Sequence, residues 1–406
     1  MVYYYIFAVI ALLTQLLFLV SSYRHLRFVI RKYRPRKPVY QPIAAVICPC
    51  KGIDTTFDRN LTSLFAQDYP DYEIHFVVES TDDPAYARLT DIIAQQQRAN
   101  SKIKAQITVA GRAKTSAQKV HNLLTVCKKL PDDIKIFAFI DSDACLKSHF
   151  LTSLIYPLRR ADAGASTGYR WFVPTDGRLS SKTLSALNAF FASMLGPHRW
   201  NSAWGGAMAI RHDLFDKIEM PKVWQNALTD DYTLSYAVKR AGLRVLFAPA
   251  CFVASYEQIS WTDLFLFARR QFFITKVHAR RLWQMALLGF GCYVTAFWLG
   301  LVVSLYLMAI GSSQATYAAI LPTTIMAISI IRALMRQAMI GKILAEDRNG
   351  LITPAIIDIF LQPLLAVFTL VTILASATTR TITWRNIKYT VHAPDHAPDK
   401  IEISRL

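Results

Sequence analysis

An uncharged apolar run of 18 residues, 3–20, stands near the start of the chain, and a helix of that length crosses the hydrocarbon of a bilayer. Directly after it come Arg24, Arg27, Arg31, Lys32, Arg34, Arg36 and Lys37 with no acid among them, which assigns the chain that follows to the cytosolic side. A cleaved signal peptide carries its basic residues before the apolar run and a small-residue site after it. Neither feature is present, so a retained anchor is expected. Three more apolar stretches, 285–310, 317–331 and 355–375, lie towards the other end, the second barely long enough to span. An anchor and three further spans would leave the tail outside, whereas the basic segment TTRTITWRNIKYTVH favours the inside. Because Pro363 interrupts the last stretch, a re-entrant or broken hairpin is expected there. Arg332 lies near a helix end, from which it is expected to snorkel to the headgroups.

Composition agrees with a membrane protein: 53% of the 406 residues are hydrophobic. The net charge of +18 would suit nucleic acid, but the basic residues gather beside apolar segments, as in Arg269, Arg270, Lys276, Arg280 and Arg281. Anionic lipid headgroups are therefore the expected partners, and nucleic acid is not. Cys48, Cys50, Cys127, Cys145, Cys251 and Cys292 show no zinc-ligand spacing and are expected to be free thiols, Cys48 and Cys50 pointing the same way from one strand.

Between residues 42 and 255 the composition turns soluble. The runs IAAVICP, EIHFVVES, KIKAQITVA and IKIFAFID alternate with helix-like segments such as LTSLFAQ and ARLTDIIAQQQ, which reads as an α/β sheet covered by helices. The expected organisation is an anchor over 1–22, a basic linker over 23–41, a catalytic α/β domain over 42–255, interfacial amphipathic helices over 256–284, transmembrane or re-entrant segments over 285–377 and a cytosolic tail over 378–406.

In FAFIDSDACL the apolar run ends at Asp141 and Asp143, where a strand surfaces. Ligands bind beyond the carboxyl ends of parallel strands, and magnesium or manganese bridging phosphates takes one or two protein carboxylates, so this pair suits a metal on a nucleotide diphosphate. Helix capping explains one acid of such a pair equally well. A second pair lies in NALTDDYTLSYAVKRAGL, which marks a helix with Thr229 or Asp230 as N-cap, Lys239 and Arg240 in the last turn and Gly242 as stop. Asp231 then falls in the first turn, where one acid complements the helix dipole and the other is available as a general base.

The segments KGID from Lys51, DYPDYE from Asp68, VVESTDDPA from Val77, QKVHNLL from Gln118, FIDSDA, TDDY and TITWRNIKY from Thr381 come in an order and spacing that resembles the ceramide glucosyltransferase family, within the wider group of inverting nucleotide-sugar-dependent glycosyltransferases of family 2. The resemblance implies a GT-A fold, a UDP-sugar donor (UDP-glucose), a divalent Mg2+ or Mn2+ ion and a membrane lipid such as ceramide as acceptor. It implies nucleotide-sugar contacts at Lys51, Asp54, Lys119, Asn122, Gly205 and Gly206, metal ligation at Asp141 and Asp143, and catalysis by Asp231 beside Asp230. Two positions depart from the family pattern. Its first aspartate falls on Ser80, so the neighbouring Glu79 is expected to take the ribose- or uracil-binding acid's place. The motif of Arg or Gln followed two residues later by Arg-Trp is represented only by Arg270 or Gln271, and the Arg-Trp pair is missing. The rival readings are a processive polysaccharide synthase, with more spans around a polymer channel, and an inactive basic membrane adaptor.

Overall fold

The computed structural model describes residues 2–34, 39–99, 103–392 and 401–405; Arg36 and Lys37 of the basic cluster lie outside them. Two compact units form. One comprises Arg31–Phe172, Leu195–Glu257 and Arg380–Leu406, the other Met1–Ile30, Val173–Met194 and Gln258–Thr379.

The first unit is built on strands β1 (Ala44–Pro49), β2 (Tyr72–Val78), β3 (Lys104–Val109), β4 (Ile136–Ile140), β5 (Ala163–Pro174), β6 (Ala207–Arg211) and β7 (Arg244–Glu257). They form one sheet in the order β3-β2-β1-β4-β6-β5-β7. The four strands read from the sequence are β1 to β4, and they run parallel. Every residue of β4 is buried, which is why its sequence is a continuous apolar run and does not alternate. Phe137 and Phe139 pack edge-on against Phe215 and Trp224, at centroid distances of 5.3 Å for Phe137–Phe215 and for Phe139–Trp224.

The sheet is mixed, because β6 runs antiparallel to both β4 and β5. That reversal positions the site. Ile140, the last residue of β4, pairs with Ala207, the first of β6, so the loop entering β6 lies beside the acids leaving β4. The helix Asp230–Arg240 ends as its sequence predicts: Gly242 takes φ +75°, and the amides of Gly242 and Leu243 turn back to the carbonyls of Lys239 and Val238 at 3.0 and 3.2 Å. A second, antiparallel sheet in the order β10-β9-β8 is made by β8 (Thr381–Trp384), β9 (Ile387–Val391) and β10 (Ile401–Arg405).

The other unit is helical. Among the described residues, three helices are long and apolar enough to cross a membrane: Val2–Lys32, Arg280–Ala309 and Ala315–Ile343. The expected anchor is thus the first part of a longer helix that continues through Arg24, Arg27 and Arg31. The last apolar stretch breaks where Pro363 predicts: Ile352–Phe360 and Gln362–Thr378 meet at Leu361, and the helical segment Ala345–Phe360 is bent by 85° against Gln362–Thr378.

Two expectations need correction. The marginal stretch 317–331 belongs to a 29-residue helix, Ala315–Ile343, that carries Arg332 and Arg336 in its buried face. Arg332 does not snorkel: it is 8% exposed, donates to Ser22 Oγ at 3.3 Å and Gln15 Oε1 at 3.4 Å, and stacks on Phe18 and Phe190. Arg336 forks onto both oxygens of Asp358, which also accept from Gln337 and Gln362, so each charge of this buried pair is met by polar neighbours. The aromatic, basic stretch 261–283 is two helices, Trp261–His278 and Arg280–Ala309, separated at Ala279. Lys276 of the first donates to the carbonyls of Ser376, Ala377 and Thr379, closing the C-terminal end of Gln362–Thr378.

Candidate active site

The acid-bearing turn after β4 and the acid-bearing helix Asp230–Arg240 meet at one lysine. Lys119, in the helix Gln118–Cys127, lies 2.7 Å from Asp141 Oδ1 and 3.1 Å from Asp230 Oδ2, and it donates to the Gly205 carbonyl at 3.2 Å. Burial alone would lower its pKa; the charges of Asp141 and Asp230 and the hydrogen bond to Asp141 outweigh burial and hold it well above the ordinary lysine range. The family resemblance implies a nucleotide-sugar contact at Lys119. In the fold its ammonium ties the two acid pairs together.

Gly205 is a glycine for a packing reason. A Cβ there would lie 2.5 Å from Asp230 Oδ2 and 2.8 Å from Lys119 Nζ, so any side chain would push the carboxylate and the ammonium out of this arrangement. At Gly206 a Cβ would collide with the Trp204 ring at 2.3 Å. Asn201 anchors this loop by donating to the Gly196 and Val245 carbonyls at 2.7 and 3.2 Å.

Asp230 and Asp231 are neighbours with different surroundings. Asp230 is 5% exposed and paired with Lys119. Asp231 is half-buried; its Oδ1 accepts the Tyr232 amide at 2.7 Å and its Oδ2 the Gly205 amide at 3.2 Å. Burial, and then the like charge of Asp230, push the Asp231 pKa up to about 7, against the opposing pull of Lys119 and the two amides. A carboxylate poised there exchanges a proton near neutral pH, as a general base must. Thr229 occupies the N-cap position in extended conformation, but its hydroxyl makes no capping bond.

Asp143 faces Arg170, whose Nη1 lies 3.4 Å from Asp143 Oδ2. Burial and the neighbouring Asp141 raise its pKa against Arg170's pull. Asp143 Oδ1 is buried with no hydrogen-bond donor, an oxygen left open for a cation. Among the described residues no three His, Cys, Asp or Glu groups cluster as a protein-only cage. Two carboxylates one residue apart, one with an open oxygen, fit a hard divalent ion that completes its shell with phosphate and water. Arg170 was not singled out from the sequence. Its guanidinium lies over the rings of Phe172 and Trp204 at 4.5 and 5.4 Å, positions that β5 and the β6 entry loop bring together from distant sequence.

The remaining sequence-assigned residues divide. Lys51, Asp54 and Glu79 gather at the ends of β1 and β2: Lys51 Nζ is 2.8 Å from Glu79 Oε2. Gly52, between them, takes φ +67° and gives its amide to Asp83 at 2.8 Å. Asn122 is buried and accepts from Gln118, whose amide group also reaches the Gly111 carbonyl at 2.8 Å. Asn122 therefore orients Gln118 from beneath. Arg270 and Gln271 lie in the helix Trp261–His278 of the other unit, Arg270 over the Phe267 ring. Cys48 and Cys50 do point the same way, their sulfurs 3.8 Å apart as free thiols in the core.

The profile of glycosyl transferase family 21 matches residues 3–397. No curated protein matches the chain significantly. Among solved structures, a mannosyltransferase from Pyrobaculum calidifontis in complex with GDP-Man and Mn2+ aligns at 14% identity and a TM-score of 0.48, covering 91% of this chain and 96% of that one. GalNAc-T7 with UDP, GalNAc and Mn2+ aligns at 12% identity and a TM-score of 0.41, covering 59% of this chain and 48% of that one.

Proposed function

The chain belongs to glycosyl transferase family 21 and is a glycosyltransferase, and from that premise we propose that it moves one hexose, glucose from UDP-glucose, onto the hydroxyl of a membrane lipid such as ceramide, with inversion. The observation that carries the chemical part is Asp231: an acceptor-only group, half-buried, with a pKa near 7, beside a partner acid whose charge Lys119 neutralises. Asp231 takes the proton from the acceptor hydroxyl, whose oxygen attacks the anomeric carbon opposite the leaving diphosphate. Asp230 keeps the pKa of Asp231 high enough for this task. Lys119 holds Asp141 and Asp230 in register, and Arg170 adds a fixed positive charge beside Asp143 for the leaving group. Asp141 and Asp143 would hold the divalent ion, Mg2+ or Mn2+, which when bound supplies charge neutralisation for the departing UDP.

Three apolar helices support a membrane location, and the basic residues after residue 20 favour the cytosolic side for the catalytic unit. β8 to β10 belong to the same compact unit as the catalytic sheet, so the chain must cross the membrane an even number of times between 258 and 379. Arg280–Ala309 and Ala315–Ile343 would supply two crossings, with the pair bent at Leu361 as a re-entrant hairpin. Incubation of the purified protein with a panel of UDP sugars and a membrane lipid extract, with mass spectrometry of the products, tests the proposal. One hexose per lipid, with equal release of UDP, is expected. Long sugar ladders or soluble polymer would identify a processive synthase, and absence of UDP release with every pair would overturn the reading.

A further inference from the structure

The sheet after residue 380 lays Arg385 and Arg405 on Asp54 and Glu79, which the family resemblance assigns to the nucleotide sugar, and Tyr389 on the neighbouring Gln118. Arg385 stands in the tight turn between β8 and β9, where it and Asn386 take φ values of +49° and +62°, and its guanidinium donates to Asp54 Oδ2 at 2.8 Å. The Tyr389 hydroxyl accepts the amide of Gln118 at 3.2 Å. Arg405, in β10, donates to Glu79 Oε1 and, at 3.1 Å, to Gln118 Oε1.

Glu79 does not need that second cation. Its side chain is 8% exposed and already paired with Lys51 at 2.8 Å, and Arg112 stands 3.9 Å away as a third positive group. Asp83, beside them, accepts the amides of Gly52 and Ala85 at 2.8 and 3.0 Å. Lys51, Arg112 and Arg405 thus face Glu79, three cations against one buried carboxylate, while Arg385 answers Asp54 and also feels Asp143 and Glu257. Gathering surplus positive charge on a buried carboxylate is unfavourable unless a further anion answers it. A nucleoside diphosphate brings such charge with several acceptor oxygens, which suit a guanidinium fork.

We propose that β10 forms one wall of the donor site and that Arg405 is a donor-binding residue, its guanidinium shared between Glu79 and the phosphate oxygens of the nucleoside diphosphate. This rests on the sugar-nucleotide reading given above. The test is calorimetric titration of the full-length protein in detergent with UDP, GDP and uridine, for the wild type, Arg405→Ala and Arg405→Lys, alongside ligand-free thermal melting. UDP affinity should fall about tenfold or more in Arg405→Ala, the loss of one charge-assisted contact, with partial recovery in Arg405→Lys and less than about a twofold change for uridine. If Arg405→Ala has no cooperative melt, Arg405→Lys carries the test with the same sign. Equal losses for UDP and uridine would reduce β10 to a support, and tighter UDP binding would make Arg405 a competitor; either overturns the proposal. A wild type that binds neither UDP nor GDP would instead overturn the sugar-nucleotide reading itself.

Discussion

The two ends of the candidate site carry opposite electrostatics. Around Lys119 stand Asp141, Asp143, Asp230 and Asp231, with Lys119 and Arg170 as their close cations and Arg385 acting on Asp143 at longer range. At Glu79 the balance reverses, with Lys51, Arg112 and Arg405 around one buried carboxylate. A region rich in half-buried carboxylates recruits a cation and raises carboxylate pKa values, while a region rich in guanidinium groups recruits an anion. One sheet edge therefore prepares both for a divalent ion with a base and for a nucleoside diphosphate.

The comparison breaks most severely at Lys119. Lys119→Met leaves Asp141 and Asp230 without their shared cation in a mostly buried position, and the variant should lose roughly 3–5 kcal/mol of stability in denaturant unfolding. Near-wild-type stability would show that the acids are neutralised by other means. Next in size is Asp231→Asn, which keeps the shape, can accept only one of the two backbone amides through its single oxygen, and cannot take a proton. Turnover should drop about a hundredfold or more while UDP binding holds, and a variant with normal turnover would move the base to Asp230 or elsewhere.

Replacing Asp141 or Asp143 with Asn sharpens the contrast from the other side. Metal-dependent UDP binding should weaken by about tenfold or more, the scale of a disturbed metal site, while uridine binding at the basic end stays. Calorimetry with and without chelator decides; equal UDP affinity under both conditions in both variants would remove the metal from this end. The smallest effect is on pH. With Asp231 near 7, kcat/KM should rise with pH through about 7, and Asp230→Asn, which removes the like charge, should shift that rise to lower pH. The folded state holds the Asp231 proton more tightly than the unfolded chain does, so this residue's contribution to stability is lost as pH rises through about 7. Asp231→Asn should flatten that loss in a melting series from pH 5 to 8.5.

Legibility from sequence followed the range of the forces involved. Local periodicity and capping chemistry placed β1 to β4, the helix Asp230–Arg240 with its Gly242 stop, and the break at Pro363, because each depends on a few neighbouring residues. Both acid pairs were visible for the same reason: carboxylates that end an apolar strand or open a helix are conspicuous. TITWRNIKY was recognised as a motif, yet the contacts of Arg385 and Tyr389 with Asp54 and Gln118 span more than 270 residues of chain. Nothing local announces such pairing.

By itself the amino-acid order determined which segments are apolar enough for a membrane, which form a buried parallel sheet, and where carboxylates surface, since hydrophobic transfer and helix termination act on short stretches. Only the tertiary structure decided the rest. Running β6 against β4 set Gly205 beside Asp230 and Lys119, burial with Asp230 raised Asp231 to about 7, and β10 brought Arg405 to Glu79. Desolvation and Coulomb interactions depend on which groups share a small volume, and only the folded chain brings residues this far apart in sequence into one.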